Sequence, residues 1–152
     1  MNAFIVFDTD CVLCSRLVRF VLAHESAPFF AFVGAWSAGG LKLAARYGFS
    51  RADLDETILV VIEGVAYHHS DAAIEILRRM RQPWALLSTL RFVPRFLRDP
   101  AYSAVARRRY RWFGHKRGCF VPPPEQRARF LDLSGFSDYA ANPASAEAAR
   151  TP

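Results

Sequence analysis

The N-terminal half of the chain alternates between short apolar runs and segments whose apolar residues recur at helical spacing. Residues 3–7 (AFIVF) are apolar, β-branched and aromatic, which predicts a buried strand. Residues 12–24 carry apolar side chains three and four positions apart, which predicts a helix. Residues 29–33 indicate a second strand, and residues 36–47 indicate a second helix that ends at Gly48. We therefore expect a βαβα unit.

Two further apolar runs, TILVVI and VAYH, are separated by Glu63-Gly64, a dipeptide that suits the tight turn of a β-hairpin. Ser70 and Asp71 follow the second run and are expected to cap a helix that reaches about Met80. Together with the first two strands, this hairpin predicts an α/β domain with a mixed sheet of about four strands and helices packed on it.

The pattern changes after Pro83, where arginines and aromatic residues dominate. Two Arg-rich amphipathic helices are predicted, over roughly residues 83–98 and 100–113, and each begins near a proline. Residues 132–152 are rich in Ala, Ser, Asn and Pro and show little periodicity, which predicts a flexible tail. We expect one domain over residues 1–131, which includes this helical C-terminal extension.

Charge is distributed unevenly between the two halves of the chain. Residues 78–129 contain fourteen Arg or Lys and two acidic residues, whereas the rest contains six basic and twelve acidic residues. Within the basic half, Arg91, Arg95 and Arg98 are expected to share one helical face, interleaved with aromatic residues. Such a face suits an acidic partner, a nucleic acid or an anionic surface. The alternative is the solvated outer face of helices that pack on the core.

Membrane insertion and a disulfide framework are both excluded by the sequence. No stretch supplies the ~20 consecutive apolar residues that a membrane-spanning helix requires. The N-terminus shows no basic start followed by an apolar signal core, so we expect a cytoplasmic protein. Three cysteines cannot all pair within one chain. In a reducing compartment, two close cysteines indicate catalysis or metal binding.

Cys11 and Cys14 lie three positions apart where the first strand gives way to the first helix. At this spacing both thiols lie on one helical face and within the distance that a disulfide requires. The free N–H groups and the positive dipole end of the helix stabilise a thiolate and lower the pKa of a thiol placed there. We predict that Cys11, expected to be the more exposed sulfur, is the nucleophile and that Cys14 is the resolving thiol.

Asp8 ends the first strand and is the third candidate residue of this site. A carboxylate near a thiolate opposes the effect of the helix N-terminus on the thiol pKa. Two roles are open for it. Asp8 either receives the proton of Cys14 during the second exchange step or only bonds the amides of its loop.

A zinc site and a pair of inert thiols are the competing interpretations of the cysteines. His115 and Cys119 lie four positions apart and, added to Cys11 and Cys14, supply four ligands for a tetrahedral zinc ion. The long separation between the two halves of this set argues against it. Free cysteines also behave as small buried core residues, which is the third interpretation.

The stretch FDTDCVLC at residues 7–14 resembles the D-x-x-C-x-x-C signature of the DCC family of predicted thiol-disulfide oxidoreductases. The resemblance extends to AYSAVARRRYRWFG at residues 101–114, to Cys119 and to residues 122–131, and it covers roughly residues 3–131. Members of this family are similar to thioredoxins in fold. The resemblance therefore implies a thioredoxin-like sheet with the CxxC pair at the redox position.

The same resemblance implies that a Cys11-Cys14 dithiol or disulfide exchanges with a protein or low-molecular-weight thiol. It implies no organic cofactor and no bound metal, and it leaves the electron donor open. Thioredoxins also carry a cis-proline before the third core strand, opposite the cysteines. Here the corresponding residues 55–57 read Asp-Glu-Thr, so this chain has no proline at that position.

Overall fold

The fold is built on a four-stranded mixed sheet with the strand order β2-β1-β3-β4. The computed structural model describes residues 3–114 and 124–130; the predicted flexible tail at residues 132–152, His115 and Cys119 lie outside these ranges. The described strands and helices are β1 (Ala3–Phe7), α1 (Val12–His24), β2 (Ala31–Gly34), α2 (Ala38–Arg46), α3 (Arg51–Glu56), β3 (Leu59–Ile62), β4 (Val65–His68), α4 (His69–Leu77) and α5 (Arg95–Phe113), with short 3-10 helices at Trp84–Phe92 and Pro124–Arg129.

β1 lies at the centre of the sheet and pairs with a strand on each side. Its Phe4 is in register with Ala31 of the parallel strand β2 and with Val61 of the antiparallel strand β3. The β3-β4 hairpin turns at Glu63 (φ 50°) and Gly64 (φ 82°), the two positive φ angles that a tight hairpin turn requires. The four strands predicted from the sequence are confirmed, with β2 and β3 each beginning two residues later than expected.

Successive side chains of β1 point to opposite sides of the sheet, and helices cover both sides. Buried residues on the side of α1 and α4 are Ala3, Ile5, Phe7, Val18, Val21, Phe30, Phe32, Ile58, Val60, Ile62, Ala72, Ile76 and Met80. Buried residues on the side of α2 and α3 are Phe4, Val6, Ala31, Val33, Ala35, Leu43, Ala44, Leu54, Leu59 and Val61. This layered α/β arrangement is the predicted thioredoxin-like fold.

α3 is a short helix that the apolar periodicity does not predict. Ser50 caps it: the Ser50 hydroxyl oxygen accepts the amide of Asp53, and the Asp53 carboxylate accepts the amide of Ser50 at 2.7 Å. This reciprocal capping box stabilises a helix that is too short to show a repeat. α3 places Leu54 in the core and ends at Glu56, and Thr57 and Ile58 connect it to β3.

The prediction that Ser70 and Asp71 cap α4 is wrong. The residue before α4 provides no side-chain cap, and the two polar side chains point to α5 instead. The Ser70 hydroxyl donates to Asp99. The Asp71 carboxylate accepts from Arg95 at 2.9 Å and from Arg98 at 3.1 Å. These contacts hold the start of α5 against the start of α4.

The Arg-rich half contains one long helix where two were predicted. α5 runs through Pro100, so the predicted boundary at residue 100 is wrong. A proline removes one backbone hydrogen bond, and the ion pairs with α4 hold this part of α5 in place. Arg91 lies in the preceding 3-10 helix, so the three arginines expected on one helical face do not share one. No helix among the described residues is apolar over a length that would cross a membrane.

Residues 124–130 return to the sheet and pack beside β2. The buried Arg129 guanidinium forms an ion pair with Glu25, the residue that ends α1, at 2.9 Å. The ring of Phe130 stacks on Phe32 with 4.9 Å between the ring centroids. We propose on this ground that the segment belongs to the same domain as the sheet.

Gly40→Ala should destabilise the protein, although alanine normally favours a helix over glycine. Gly40 lies in the first turn of α2, and a Cβ atom there would overlap the carbonyl oxygen of Gly34 in β2. Overpacking of this kind costs roughly 1–3 kcal/mol, so the thermal unfolding midpoint should fall. Lys42→Ala, at an exposed position of the same helix, should change the unfolding free energy by less than about 0.5 kcal/mol. An unchanged midpoint for Gly40→Ala would contradict the close contact between α2 and β2.

Candidate active site

The cysteine pair lies where β1 meets α1. A short loop follows β1, and Cys11 is the N-cap of α1 with an extended backbone (φ −87°, ψ 122°). Its Sγ accepts the backbone amide of Cys14 at 3.3 Å, in place of the side-chain oxygen that usually caps a helix. Cys14 lies in the first turn of the helix. The predicted position of both thiols at a helix N-terminus is confirmed.

The two thiols differ in their protonation. Hydrogen bonds from the Cys14 side chain and amide, together with the charge of Arg109, lower the pKa of Cys11 to about 7, although burial and the charge of Asp8 oppose them. The same side-chain hydrogen bond raises the pKa of Cys14, its donor, and burial of Cys14 adds to the effect. Near neutral pH Cys11 is therefore partly ionised to the thiolate, whereas Cys14 stays a thiol.

The exposure of the two sulfurs is the reverse of what the sequence predicts. Cys11 is fully buried, with 0% of its surface exposed, whereas Cys14 is partly exposed. The prediction that Cys11 is the more accessible thiol is wrong, because an N-cap residue close behind a buried central strand stays in the layer of the sheet. Thiolate character and access to solvent therefore belong to different cysteines.

Asp8 is a buried carboxylate that accepts hydrogen bonds from three parts of the chain. Its Oδ1 accepts the Asp10 amide at 2.9 Å and the Trp36 indole N–H at 2.8 Å. Its Oδ2 accepts from the Arg109 guanidinium at 3.4 Å and from the Tyr110 hydroxyl. The sequence suggested that Asp8 bonds an amide of its own loop, and the hydrogen bond from the Asp10 amide is such a contact. The role of Asp8 as a proton acceptor stays a prediction.

Arg109 reaches the site from α5 and was not predicted as a site residue. Only 5% of its surface is exposed, and its terminal nitrogens donate to Asp8 and Asp55, both at 3.4 Å, and to the Ala106 carbonyl at 3.1 Å. Its Nε has no hydrogen-bond partner in the part of the chain that the structure describes. The sequence signal that could have pointed to Arg109 is the Arg-Tyr-Arg-x-Phe-Gly segment that contains it. Helical spacing alone, however, does not reveal a contact between this segment and a loop 101 positions earlier.

A pocket of about 290 Å³ opens beside Cys14, between α1, α4 and α5. The charged and thiol groups of its lining come from Asp8, Cys14, Glu56 and Arg109, whereas Cys11 is not part of the lining. The apolar lining comes from Leu13, Leu17, Phe20, Leu54, Ile58, Ala73, Ile76, Leu77, Tyr102, Val105 and Ala106. The accessible cysteine therefore faces a largely apolar cavity with a buried cation beside it.

The zinc interpretation depends on residues that the structure does not describe. Over residues 3–114 and 124–130, no group of three or more His, Cys, Asp or Glu side chains is arranged to hold a metal ion. His115 and Cys119, which would complete the set with the CxxC pair, lie outside these ranges. The zinc site stays an open alternative.

The arginines considered for an acidic partner make contacts within the chain. Arg95 and Arg98 pair with Asp71, and the Arg91 guanidinium lies 4.8 Å from the centroid of the Phe92 ring. These contacts agree with arginines that cover apolar and acidic surface of their own domain. An acidic partner for the Arg-rich half stays a prediction.

A thioredoxin-like sheet with a CxxC pair at the N-terminus of its first helix defines a class of thiol-disulfide proteins. The family model described as DCC1-like thiol-disulfide oxidoreductase matches residues 5–115. The chain belongs to the DCC1-like thiol-disulfide oxidoreductase family. The resemblance noted from the FDTDCVLC stretch is thus confirmed.

Two known proteins are similar to most of the chain. The uncharacterized protein YuxK of Bacillus subtilis (strain 168) is 34% identical over 130 residues, which cover 86% of this chain and 94% of YuxK. A chloroplastic DCC family protein of Arabidopsis thaliana is 34% identical over 115 residues, which cover 75% of this chain and 66% of the plant protein. No solved structure matches the chain significantly.

The reduced protein should contain one thiolate that forms with a midpoint near pH 7, the pKa of Cys11. The ultraviolet absorbance of thiolate measures this in Cys119→Ser protein, where the third cysteine does not contribute. Arg109→Gln should raise the midpoint, because it removes a positive charge that lowers the pKa of Cys11. Arg107→Gln, at an exposed position of the same helix, should leave it unchanged. A midpoint at about 8.5, the value of an unperturbed cysteine, would contradict the stabilised thiolate.

Asp8→Asn should strongly destabilise the fold. The change leaves the exposed carboxylate of Asp55 as the remaining counter-charge of the buried Arg109 guanidinium. Breaking a buried ion pair costs roughly 3–5 kcal/mol, which chemical denaturation would detect. Asp10→Asn, at an exposed position of the same loop, is the matched control and should have little effect. Small and equal changes in both variants would show that Asp8 does not anchor the site.

Proposed function

We propose that the Cys11-Cys14 pair carries out thiol-disulfide exchange with a protein or a low-molecular-weight thiol. The observation that carries this proposal is the arrangement of two thiols at the N-terminus of α1, where the Cys11 sulfur accepts the Cys14 amide at 3.3 Å. Membership in the DCC1-like thiol-disulfide oxidoreductase family supports it independently. The activity requires the two sulfurs to alternate between dithiol and disulfide.

The electrostatics of the pair suit both directions of such a cycle. In the dithiol, the lowered pKa of Cys11 supplies a thiolate near neutral pH, the form in which a cysteine reacts. In the disulfide, attack at Cys14 makes Cys11 the leaving sulfur, and a leaving thiol of low pKa departs faster. The stabilised thiolate of Cys11 therefore assists both the formation and the cleavage of the Cys11-Cys14 disulfide.

Asp8 acts in this proposal as a positioning residue. It holds Arg109 beside the thiols, and the guanidinium lowers the pKa of both. The proposed compartment is the cytoplasm, where a close pair of cysteines cycles rather than persisting as a structural disulfide.

The protein should gain and lose one internal disulfide reversibly. Across mixtures of reduced and oxidised glutathione, the free thiols counted with a thiol reagent should fall by two and return on reduction. Cys11→Ser and Cys14→Ser should each abolish this transition, because both sulfurs form the disulfide. Each should also lower the reduction of insulin disulfides to the uncatalysed rate.

Cys119→Ser is the matched control for these variants, since the proposed cycle does not use the third cysteine. It should retain both the two-thiol transition and the insulin activity. Metal content is measured on the same purified protein. Near-stoichiometric zinc, with Cys11 and Cys14 protected from the thiol reagent, would establish the zinc interpretation instead. Two thiols that never pair, in folded and metal-free protein, would establish inert core cysteines.

A further inference from the structure

The pocket beside Cys14 is a feature that disulfide exchange alone does not require. Its hydrocarbon walls include Leu17 and Phe20 of α1, Leu77 of α4 and Val105 of α5. A site that served only hydrophilic thiols, or cysteines on the surface of other proteins, would need no apolar cavity. Small-molecule sites typically combine a mostly apolar concave surface with a few polar groups that fix the orientation of the ligand.

One polar group of the pocket is a donor that has no acceptor within residues 3–114 and 124–130. Arg109 lines the pocket and is almost fully buried, and its Nε has no partner among the described residues. Buried polar groups are nearly always hydrogen-bonded in native proteins, so an isolated buried N–H is a candidate ligand contact. A sulfur that carries negative charge, as a thiolate does, is a suitable acceptor for a guanidinium N–H.

The pocket also distinguishes between the two cysteines. Cys14 is partly exposed and lines the cavity, whereas Cys11 is buried and does not line it. A molecule in the pocket therefore meets the sulfur of Cys14 first. This differs from the order of attack expected from the sequence, which assumed that Cys11 was the more exposed thiol.

We propose that the pocket binds apolar low-molecular-weight thiols and their disulfides, with the sulfur at Cys14 and Arg109 and the hydrocarbon group between α1 and α4. The assignment rests on the proposed exchange reaction and names the substrate class of that same site. Its volume of about 290 Å³ is at the lower end of the usual range for ligand pockets, roughly 300–1,000 Å³, and suits a short alkyl or aryl group.

The exchange begins when a substrate thiolate attacks the Cys14 sulfur of the oxidised protein. A bond forms between the substrate sulfur and Cys14, the Cys11-Cys14 bond breaks, and Cys11 leaves with the electron pair as a thiolate. A second substrate thiolate then attacks the bound substrate sulfur. The substrate disulfide is released, and Cys14 leaves as a thiolate that takes up a proton. Two substrate thiols are oxidised, and the protein disulfide, which is the oxidant for this turnover, becomes a dithiol.

Single turnover of the oxidised protein with linear alkanethiols of increasing length tests this substrate class. Glutathione is the hydrophilic reference, and rate constants are compared per thiolate. The rate constant for loss of the protein disulfide should rise roughly fourfold for each added methylene until the pocket is filled. The alkanethiols should then react faster than glutathione.

A redox-inert probe separates binding from chemistry. Hexyl methyl sulfide carries the hydrocarbon group of hexanethiol but cannot exchange, so its binding, followed by NMR shift changes, reports on the pocket alone. Val105→Asp places a carboxylate on a pocket residue that is 42% exposed, and it should weaken this binding about tenfold or more and abolish the dependence on chain length. Ala101→Asp, at an exposed position of α5 outside the pocket, should leave both unchanged.

The outcomes separate this inference from the proposed function. If rates do not depend on chain length and the thioether does not bind, the apolar substrate class is wrong while exchange with glutathione remains. If the thioether binds but no thiol reduces the protein disulfide, the exchange reaction fails, and the substrate assignment fails with it. Equal effects of Val105→Asp and Ala101→Asp would show that charge on α5, rather than the pocket, is responsible.

Discussion

The buried carboxylate of Asp8 fixes the arrangement on which the cysteine site depends. A charge in a protein interior is tolerated only when it is paired and hydrogen-bonded. The donors to Asp8 come from its own loop, from Trp36 before α2, and from Arg109 and Tyr110 of α5. Without α5, Asp8 would be a buried charge without a counter-charge beside a thiolate. The Arg-rich helix is therefore part of the site.

Two opposing charges, two hydrogen bonds from Cys14 and burial decide where the thiolate forms. Asp8 raises the pKa of Cys11 and Arg109 lowers it, so the two paired charges act on this thiol in opposite directions. The larger influences are local: the side chain and amide of Cys14 donate to the Cys11 sulfur and lower its pKa, whereas burial raises it. Such donors favour the charged form of the group that accepts them. The position of Cys14 in the first turn of α1 thus favours the thiolate form of Cys11.

Local sequence pattern predicted the parts of the fold that depend on local physics. The apolar run of β1, the helical spacing of α1 and the Glu63-Gly64 turn each have one dominant cause, and each was predicted correctly. α3 was missed because its stability comes from a capping box rather than from periodicity. α5 continues through Pro100, and its N-terminal part is paired with Asp71 of α4, a contact that no local pattern contains.

The candidate site was predictable only in part, because some of its features depend on contacts between distant segments of the chain. Two cysteines at a helix N-terminus follow from spacing, so Cys11 and Cys14 were placed correctly. Their exposure depends on what packs around them, and that could not be inferred from the spacing. Arg109 and Tyr110 are joined to Asp8 across about a hundred positions, and only the resemblance to a family linked those segments before the fold was known.

In this proposal α5 determines which substrates bind, and the segment before β3, residues 55–57, shows why. Thioredoxins present a cis-proline there, whereas here Thr57 directly follows α3. Its hydroxyl donates to the Ile58 carbonyl at 2.9 Å and accepts the His69 amide at 2.7 Å, so this polar side chain is occupied within the fold. The groups left to recognise a substrate thiolate beside Cys14 are then the apolar walls and Arg109, because the carboxylates of Asp8 and Glu56, which also line the pocket, would repel it. Because α5 supplies both Arg109 and Val105, one helix links the charge balance of the thiols to the shape of the pocket.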